Sequence, residues 1–233
     1  MTVATLPRLG FLGVGWIGRN RMEALTRDGL AQVAAVADPQ AEALDSAVEV
    51  APSAVRAESL EELLEHELDG IVIATPSALH AEQAAAALER GLAVFCQKPL
   101  ARDAEETRRV LEAARAADRL LAVDLSYRHV EALRAAQQQV ASGAIGRLHT
   151  IDLVFHNAYG PGKPWFTDPE LAGGGCLIDL GTHLVDLALW LADSAVPCGR
   201  STPIRNSSIG VETARTLSLH GHAVEDHATA ELA

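Results

Sequence analysis

Short apolar runs alternate with longer amphipathic stretches over the first half of the chain. The runs that predict buried strands lie at residues 9–13, 32–37, 70–75, 92–96 and 120–125. The stretches that predict helices lie at 18–27, 59–65, 79–90 and 103–117. Glycine stops such as Gly29 and Gly91, together with the short run lengths, favour strands over buried helix fragments. The pattern predicts an α/β fold in which a doubly wound parallel sheet carries helices on both faces.

The pattern changes near residue 126, which predicts two domains, 1–125 and 126–233. Two helices are predicted in the second domain, at 130–141 and 176–192. Alternation of apolar and polar residues predicts an antiparallel strand at 147–156, and a weaker pattern indicates another at 226–232. The stretch 157–175 is rich in Gly and Pro and predicts a loop.

Composition and charge narrow the classes of function. The chain has 233 residues and a formal net charge of -12. Its hydrophobic fraction of 48% is typical of a globular protein with a packed core. We expect no nucleic-acid partner, because phosphate binding needs clustered Lys and Arg and the chain has no basic run. The three cysteines show neither pairing nor zinc-binding spacing, so we expect no disulfide framework and no metal site.

We expect no targeting segment. Residues 1–7 lack the charged and apolar regions of a secretory signal. We expect that no apolar run reaches the length that spans a bilayer. We therefore expect a soluble, cytoplasmic protein without a membrane partner.

The turn after the first predicted strand has a glycine fingerprint. Gly13, Gly15 and Gly18 form the pattern G-x-G-x-x-G, with Trp16 and Ile17 between the second and third glycines. The first glycine permits a tight turn, the second lets a pyrophosphate approach the backbone, and the third lets helix and strand pack closely. The helix N-terminus adds N–H groups and a partial positive charge. We predict that a nicotinamide dinucleotide binds with its pyrophosphate over this turn.

Asp38 ends the second predicted strand, about 20 residues after Gly18, where the fingerprint expects an acidic residue. A carboxylate at this position accepts hydrogen bonds from the hydroxyls of the adenosine ribose and repels a 2′-phosphate. Pro39 and Gln40 follow it, so no arginine stands beside it to receive such a phosphate. The pattern favours NAD over NADP. The alternative is a glycine turn followed by a solvated aspartate.

Polar residues also end the third and fourth predicted strands. Thr75 and Pro76 follow one strand, and Gln97, Lys98 and Pro99 follow the other. Ligands of open α/β sheets bind at the carboxyl ends of strands, so both groups are candidates for the cofactor site. Lys98 is either a functional cation or a lysine whose stem packs while its ammonium reaches water.

The predicted helix at 176–192 carries a second polar group. It follows the glycines 173–175 and places Asp179 and His183 four positions apart, so their side chains project from one face. A separate apolar stripe is formed by Leu180, Leu184, Leu187 and Leu191. We therefore expect the polar face to line a cleft, where a histidine can accept the proton of a substrate hydroxyl. An exposed helix face with a surface histidine is the alternative.

Taken in order, these motifs resemble the Gfo/Idh/MocA oxidoreductases. The resemblance is carried by Gly13-x-Gly15-x-x-Gly18, Ala74-Thr75-Pro76 with His80, Lys98-Pro99, and Gly173-Gly174-Gly175 with Asp179 and His183. It extends from about Leu9 to Asp193. It implies a Rossmann domain followed by an α/β domain, whose mostly antiparallel open sheet forms one wall of the substrate pocket. It also implies a homo-oligomer, a dimer or a tetramer, built through that sheet.

The resemblance also implies roles for individual residues. Lys98, Asp179 and His183 form the expected catalytic set, with Lys98 touching both substrate and cofactor and a cis peptide before Pro99. The cofactor site is expected to comprise Gly13, Gly15, Trp16, Ile17, Gly18, Asp38, Thr75, Pro76, His80, Gln97 and Lys98. By position rather than by resemblance, Tyr127 and Arg128 follow the fifth predicted strand and Trp165 lies in the Gly- and Pro-rich loop, which makes them candidates for the substrate cleft. A purely structural role for each is the equal alternative.

Two features depart from the family pattern. Gln97 stands where the family usually has Glu, an exchange that keeps the side chain's size and removes its charge. Family members generally continue well past this length, and residues 224–232 resemble the start of a further strand, so we expect the second domain to be truncated. A truncated gene, a natural short form that completes its sheet in an oligomer, and a degenerate protein would each account for this.

The sequence thus predicts an NAD-dependent dehydrogenase that acts on CH–OH groups. It would transfer hydride between the nicotinamide and a sugar, a polyol or a related cyclic alcohol. The alternative is a non-catalytic dinucleotide-binding remnant or regulator, which Gln97 and the short second domain favour.

Overall fold

The computed structural model describes residues 5–156, 162, 164–195, 209–214 and 227–232. The chain divides into two units, Met1–Asp124 and Leu125–Ala233. This division lies one residue before the boundary that the sequence pattern predicts.

The N-terminal unit is built on a parallel sheet. Its strands are β1 (Arg8–Leu12), β2 (Gln32–Ala37), β3 (Val55–Ala57), β4 (Gly70–Ile73), β5 (Ala93–Gln97) and β6 (Leu121–Asp124). Its helices are α1 (Trp16–Arg27), α2 (Ala41–Val50), α3 (Leu60–Leu63), α4 (His80–Glu89) and α5 (Ala104–Ala117). The six strands pair in the order β3-β2-β1-β4-β5-β6. The predicted doubly wound fold is confirmed, and its strand order reverses between β1 and β4, where such sheets bind ligands.

The sequence pattern does not predict α2 or β3. Gln40 precedes α2 and provides no side-chain cap, so the start of this helix carries no sequence signal. β3 has three residues, which is too short for a periodic pattern. Pairing with β2 at the edge of the sheet defines β3 as a strand.

Apolar side chains cover both faces of the sheet. Phe11 packs in one core with Met22 of α1, and both are fully buried. The next strand residue, Leu12, packs in the core on the opposite side with Leu88 of α4 and Val110 of α5. Successive residues of a strand point to opposite faces, so a strand covered on both sides reads as an uninterrupted apolar run.

The C-terminal unit combines helices with a small antiparallel sheet. Among its described residues, the helices are α6 (Glu131–Ala141), α7 (Pro169–Ala172) and α8 (Thr182–Ser194), and two strands pair, β7 (Ile209–Ala214) and β8 (His227–Leu232). The helix predicted at 130–141 is confirmed as α6, and the strand predicted at 226–232 is confirmed as β8. The sequence pattern does not predict β7, which lies in a stretch without clear alternation.

Two predictions for this unit are wrong. None of residues 147–156 lies in a strand, because a strand needs a paired neighbour and no described residue pairs with this segment. The predicted loop at 157–175 contains a 3₁₀ turn, Pro164–Thr167, and the short helix α7. Residues 157–161 and 163 of that loop lie outside the described residues.

The helix predicted at 176–192 does not begin as an α-helix. Leu177–Gly181 forms a π-helical turn, and the regular helix α8 starts only at Thr182. The wide turn brings Leu177 over Gly181, where a Cβ atom would lie 2.7 Å from the Cδ1 of Leu177. Insertions of this kind are frequent at functional sites, and periodicity alone does not reveal them.

The same part of the chain corrects an expectation about membranes. The stretch Glu170–Ser194 is 25 residues long and has a mean hydropathy of 1.4 in its apolar window, so by length and composition it could cross a bilayer. The expectation that no stretch reaches this length is therefore wrong. Core helices of soluble proteins have the same length and composition, and Asp186 within the stretch is paired with Arg128, so the stretch is weak evidence for a membrane span.

Candidate functional site

The glycine turn between β1 and α1 has the shape that the fingerprint predicts. Gly13 has a φ of +81°, and a Cβ atom there would lie 2.7 Å from the backbone of Ala74. A Cβ atom on Gly18 would collide with the carbonyl oxygen of Gly13. Gly15 is the N-cap of α1, and the N–H groups of a helix's first turn have no partner within the helix. Trp16, in that turn, is 70% exposed. The turn leaves backbone space and donors for an anionic group.

Asp38 is held at the same turn. The backbone N–H of Val14 donates to its Oδ2 and the N–H of Gln40 donates to its Oδ1, both over 2.9 Å. Each carboxylate oxygen has a second lone pair, so the group can accept two further hydrogen bonds. The structure therefore joins the glycine turn to the predicted ribose-binding carboxylate by one hydrogen bond across neighbouring strands. These residues fit a dinucleotide.

His80 connects the ends of β4 and β5. Its Nδ1 lies 2.7 Å from the carbonyl oxygen of Pro99, and its Nε2 lies 2.9 Å from the carbonyl oxygen of Thr75. Burial lowers the pKa of His80, and the charge of Lys98 lowers it further, although the two carbonyl contacts act in the opposite direction. The ring holds the segment that carries Lys98 against the segment that carries Thr75. The peptide between Lys98 and Pro99 is cis, as predicted.

Gln97 has a specific partner on the next strand. Its side-chain Nε2 donates to the Oδ2 of Asp124, which is its register neighbour on β6, and both side chains are buried. Arg21 of α1 donates its Nε to the same oxygen over 2.6 Å. A carboxylate at position 97 would face Asp124, so the amide is the complementary group here. Gln97, where the resemblance implies Glu, thus has a local physical reason.

This pairing predicts that Gln97→Glu destabilises the protein at neutral pH. Two adjacent buried carboxylates raise the pKa of the introduced carboxyl, so its penalty is present at pH 7 and disappears as the pH falls below about 4. We expect the free energy of unfolding at pH 7 to fall by about 1–3 kcal/mol in urea denaturation. The double variant with Asp124→Asn restores one donor and one acceptor and should recover most of the loss. A single variant as stable as the parent at pH 7 would contradict the pairing.

The predicted catalytic residues of the C-terminal unit lie in unlike environments. Asp179 lies within the π-helical turn and is partly exposed, whereas His183 lies on α8 and is 7% exposed. The expectation of a polar stripe separate from the leucines is wrong for His183. It forms the buried face of α8 together with Leu187 and Leu191, at successive intervals of four residues. The alternative of a surface histidine is wrong as well.

The candidates for the substrate cleft divide into two groups. The ring of Tyr127 stacks on His183 with centroids 4.2 Å apart, and Arg128 forms a two-pronged ion pair with Asp186. This pairing raises the pKa of Arg128. Trp165 stacks on the adjacent Phe166 instead, with centroids 3.9 Å apart.

The sequence analysis did not identify Asp124 and Arg21, which form a hydrogen bond with each other beside Gln97 at the ends of β5 and β6. A carboxylate at the end of an apolar run was the available signal, the same signal that identified Asp38. The described residues contain no group of three or more His, Cys, Asp or Glu side chains arranged to hold a metal ion. The roles assigned to individual residues stay predictions.

Comparison with known proteins decides the family. Residues 7–125 match the model of an oxidoreductase family with an NAD-binding Rossmann fold, and residues 133–232 match the Gfo/Idh/MocA C-terminal domain. The chain belongs to the Gfo/Idh/MocA oxidoreductase family. Family membership and fold both agree with the resemblance carried by the sequence motifs.

Relatives of this Gfo/Idh/MocA chain include catabolic and dehydrogenase proteins. It is 31% identical over 186 residues to the rhizopine catabolism protein MocA of Rhizobium meliloti. The matched region covers 79% of this chain and 56% of the relative. It is 29% identical over 191 residues to inositol 2-dehydrogenase 3 of Saccharopolyspora erythraea, covering 81% of this chain and 54% of the relative. The chain thus spans about half the length of these curated relatives.

A solved structure is similar along nearly the whole chain. GenD2 from gentamicin A biosynthesis, crystallised in complex with NAD, superposes with a TM-score of 0.82 at 25% sequence identity. The match covers 98% of this chain and 62% of GenD2.

Proposed function

We propose that this Gfo/Idh/MocA protein is an NAD-dependent dehydrogenase that oxidises a CH–OH group of a sugar, a polyol or a related cyclic alcohol. The observation that carries the proposal is the hydrogen bond from Val14 to Asp38, which fixes a carboxylate at the glycine turn. A site prepared in this way loses little conformational entropy when a dinucleotide binds. The relatives that act on inositol support the substrate class.

The residues of the N-terminal unit would hold the cofactor. Gly13, Gly15 and Gly18 would lie against the pyrophosphate, and Asp38 would accept hydrogen bonds from the adenosine ribose. When bound, the nicotinamide supplies the site that accepts or returns hydride. Lys98, on a segment fixed by His80, would stabilise negative charge on the substrate oxygen.

Residues of the C-terminal unit would accept and return the proton of the substrate hydroxyl. Oxidation of an alcohol removes a proton from the hydroxyl while hydride leaves the carbon. His183 would accept that proton at a ring nitrogen, and Asp179 would orient the substrate hydroxyl or the imidazole. In the reverse reaction the imidazolium would return the proton to the oxygen.

The proposal is tested on the full chain in two steps. Titration with NADH, followed by nucleotide fluorescence, measures cofactor binding; a panel of inositols, aldoses and nucleotide sugars is then assayed for NADH formation. We expect saturable binding and turnover of at least one member of the panel. Binding without turnover would support the non-catalytic alternative, and absence of binding would overturn both the dehydrogenase and the non-catalytic alternative.

Sedimentation analysis of the same preparation tests the predicted homo-oligomer, and cell fractionation tests the proposed cytoplasmic location.

The preference for NAD over NADP is proposed from Asp38. Asp38→Ala should weaken NADH binding about tenfold to a hundredfold, because charge-assisted hydrogen bonds contribute about 1.5–3 kcal/mol. NADPH binding should improve relative to NADH, since a negative charge facing the 2′-phosphate is removed. Parallel fluorescence titrations with the two nucleotides measure both changes.

A matched control for this prediction is Asp45→Ala. Asp45 is an exposed carboxylate on α2 whose Oδ1 forms an ion pair with Arg56. Its removal changes the net charge by the same amount and should leave both dissociation constants unchanged. Equal effects of the two substitutions would mean that Asp38 acts only through net charge.

A further inference from the structure

The segment between β6 and α6 is fastened to α8 by side chains that two consecutive residues supply. Ser126–His129 forms a 3₁₀ turn, and its central residues are Tyr127 and Arg128. The ring of Tyr127 lies face to face with the imidazole of His183, with centroids 4.2 Å apart and planes inclined by 6°. We propose that Tyr127 is a positioning residue that sets the plane of the His183 ring, an inference that rests on the proposed function.

The stack has the geometry needed to restrain a ring. His183 is buried, and a flat neighbour covering one of its faces opposes rotation about the bond that joins the ring to the side chain. Stacking uses the π face of the imidazole, whereas its nitrogen atoms form hydrogen bonds within the ring plane. Tyr127 can therefore hold the ring without occupying the position from which His183 would accept a proton.

Arg128 holds the turn in place beside the stack. Its Nε and Nη2 donate to the two carboxylate oxygens of Asp186 over 2.8 and 2.5 Å, a planar arrangement that fixes direction as well as distance. Its guanidinium also lies 5.9 Å from the centre of the Trp190 ring. Asp186 and Trp190 follow His183 along α8 by one and two helical turns. The turn therefore contacts three successive turns of the helix that carries the predicted base.

The arrangement changes the role expected for these two residues. Both were candidates for contact with substrate on sequence grounds. Arg128 is committed to Asp186, and the Tyr127 ring is engaged with His183 on one side and lies 6.4 Å from Phe155. Their contribution to a reaction would thus pass through the orientation of His183.

The test compares Tyr127→Phe, which keeps the aromatic face, with Tyr127→Leu, which removes it. In the 233-residue chain with ¹³C-labelled histidine, the carbon-bound ring protons of His183 should be shifted upfield in the parent and in Tyr127→Phe by the facing ring. This shift should be lost in Tyr127→Leu. The resonance is assigned by its disappearance in His183→Gln, and Phe166→Leu, which removes another stacked aromatic of the same unit, should leave it in place. An unchanged resonance in Tyr127→Leu would overturn the stack.

Turnover distinguishes positioning from a merely structural contact. Tyr127→Leu should lower kcat on the order of tenfold with little change in KM, because misplacement of a catalytic group by a fraction of an ångström is costly. Tyr127→Phe should restore kcat to within about twofold. A loss that appears only in KM would indicate direct substrate contact and overturn the inference.

Two controls separate the possible failures. If Tyr127→Leu does not fold, Arg128→Gln provides the second variant, since it releases the turn while keeping the stacking ring. The His183 shift should then shrink, and an unchanged shift together with unchanged kcat would count against the inference. Absence of turnover in the parent protein would remove the proposed function and the positioning role with it, whereas an intact His183 shift would still establish the stack.

Discussion

Replacing Lys98 with alanine should lower kcat/KM for NAD reduction about 10²- to 10³-fold and leave the dissociation constant of NADH within a few-fold. The ammonium is expected to stabilise charge that develops on the substrate oxygen, and removing one such group from an enclosed site typically has an effect of this size. Steady-state assays on whichever substrate the panel identifies, with NADH titrations alongside, measure both quantities.

In the same assays, His183→Ala should lower kcat/KM by about 10²- to 10⁴-fold, as expected on removal of a general base.

The control for Lys98→Ala is a cation removed from elsewhere in the same unit. Arg119 precedes β6, at the amino end of the strands, and its Nε donates over 2.5 Å to the carbonyl oxygen of Gly91. Arg119→Ala removes the same charge from the opposite edge of the sheet and should leave turnover unchanged. Full activity of Lys98→Ala would rule out the proposed role of the ammonium.

Gly13→Ala should weaken NADH binding by about tenfold or more and lower the free energy of unfolding by about 2–4 kcal/mol. Two costs combine at this position. An alanine is strained at a φ of +81°, and its Cβ would lie 2.7 Å from the backbone of Ala74, which cannot move without distorting the turn. Urea denaturation and fluorescence titration measure the two effects.

Gly29→Ala isolates the first of these costs. Gly29 has a φ of +62°, but an added Cβ would meet no atom within 4 Å. This control should lose about 1–2 kcal/mol of stability and bind NADH as the parent does. If the two variants lose equal stability and affinity, the close approach to Ala74 does not shape the site.

Much of the N-terminal unit could be predicted from the order of residues because its strands are buried on both faces. A strand buried on both faces consists almost entirely of apolar residues, so runs such as 70–75 can be recognised from composition. The glycine turn can be recognised because its residues are close together in the sequence. Edge strand β3 escaped prediction because three residues carry no period. The C-terminal unit was predicted less well, since an alternating segment such as 147–156 becomes a strand only when a partner pairs with it.

The candidate site shows the same division. Gly13, Gly18 and Asp38 could be assigned in advance, because local spacing determines how a turn and the end of the next strand meet. The partners of Gln97 and Tyr127 could not, since Asp124 and His183 are 27 and 56 positions away in the chain. Only side-chain packing decides which distant groups touch.

The sequence by itself determined the parallel sheet and the glycine turn, because these depend on burial patterns and on short spacings. The catalytic roles of Lys98, Asp179 and His183 are implied by the family resemblance and stay predictions. The tertiary structure alone decided that Asp38 is held by the turn and that an amide belongs at position 97. It also decided that His183 is buried beneath Tyr127 rather than displayed on an open face. These facts arise from contacts between residues remote in sequence, whose partners are set by how strands align and helices pack, not by the identity of either residue alone.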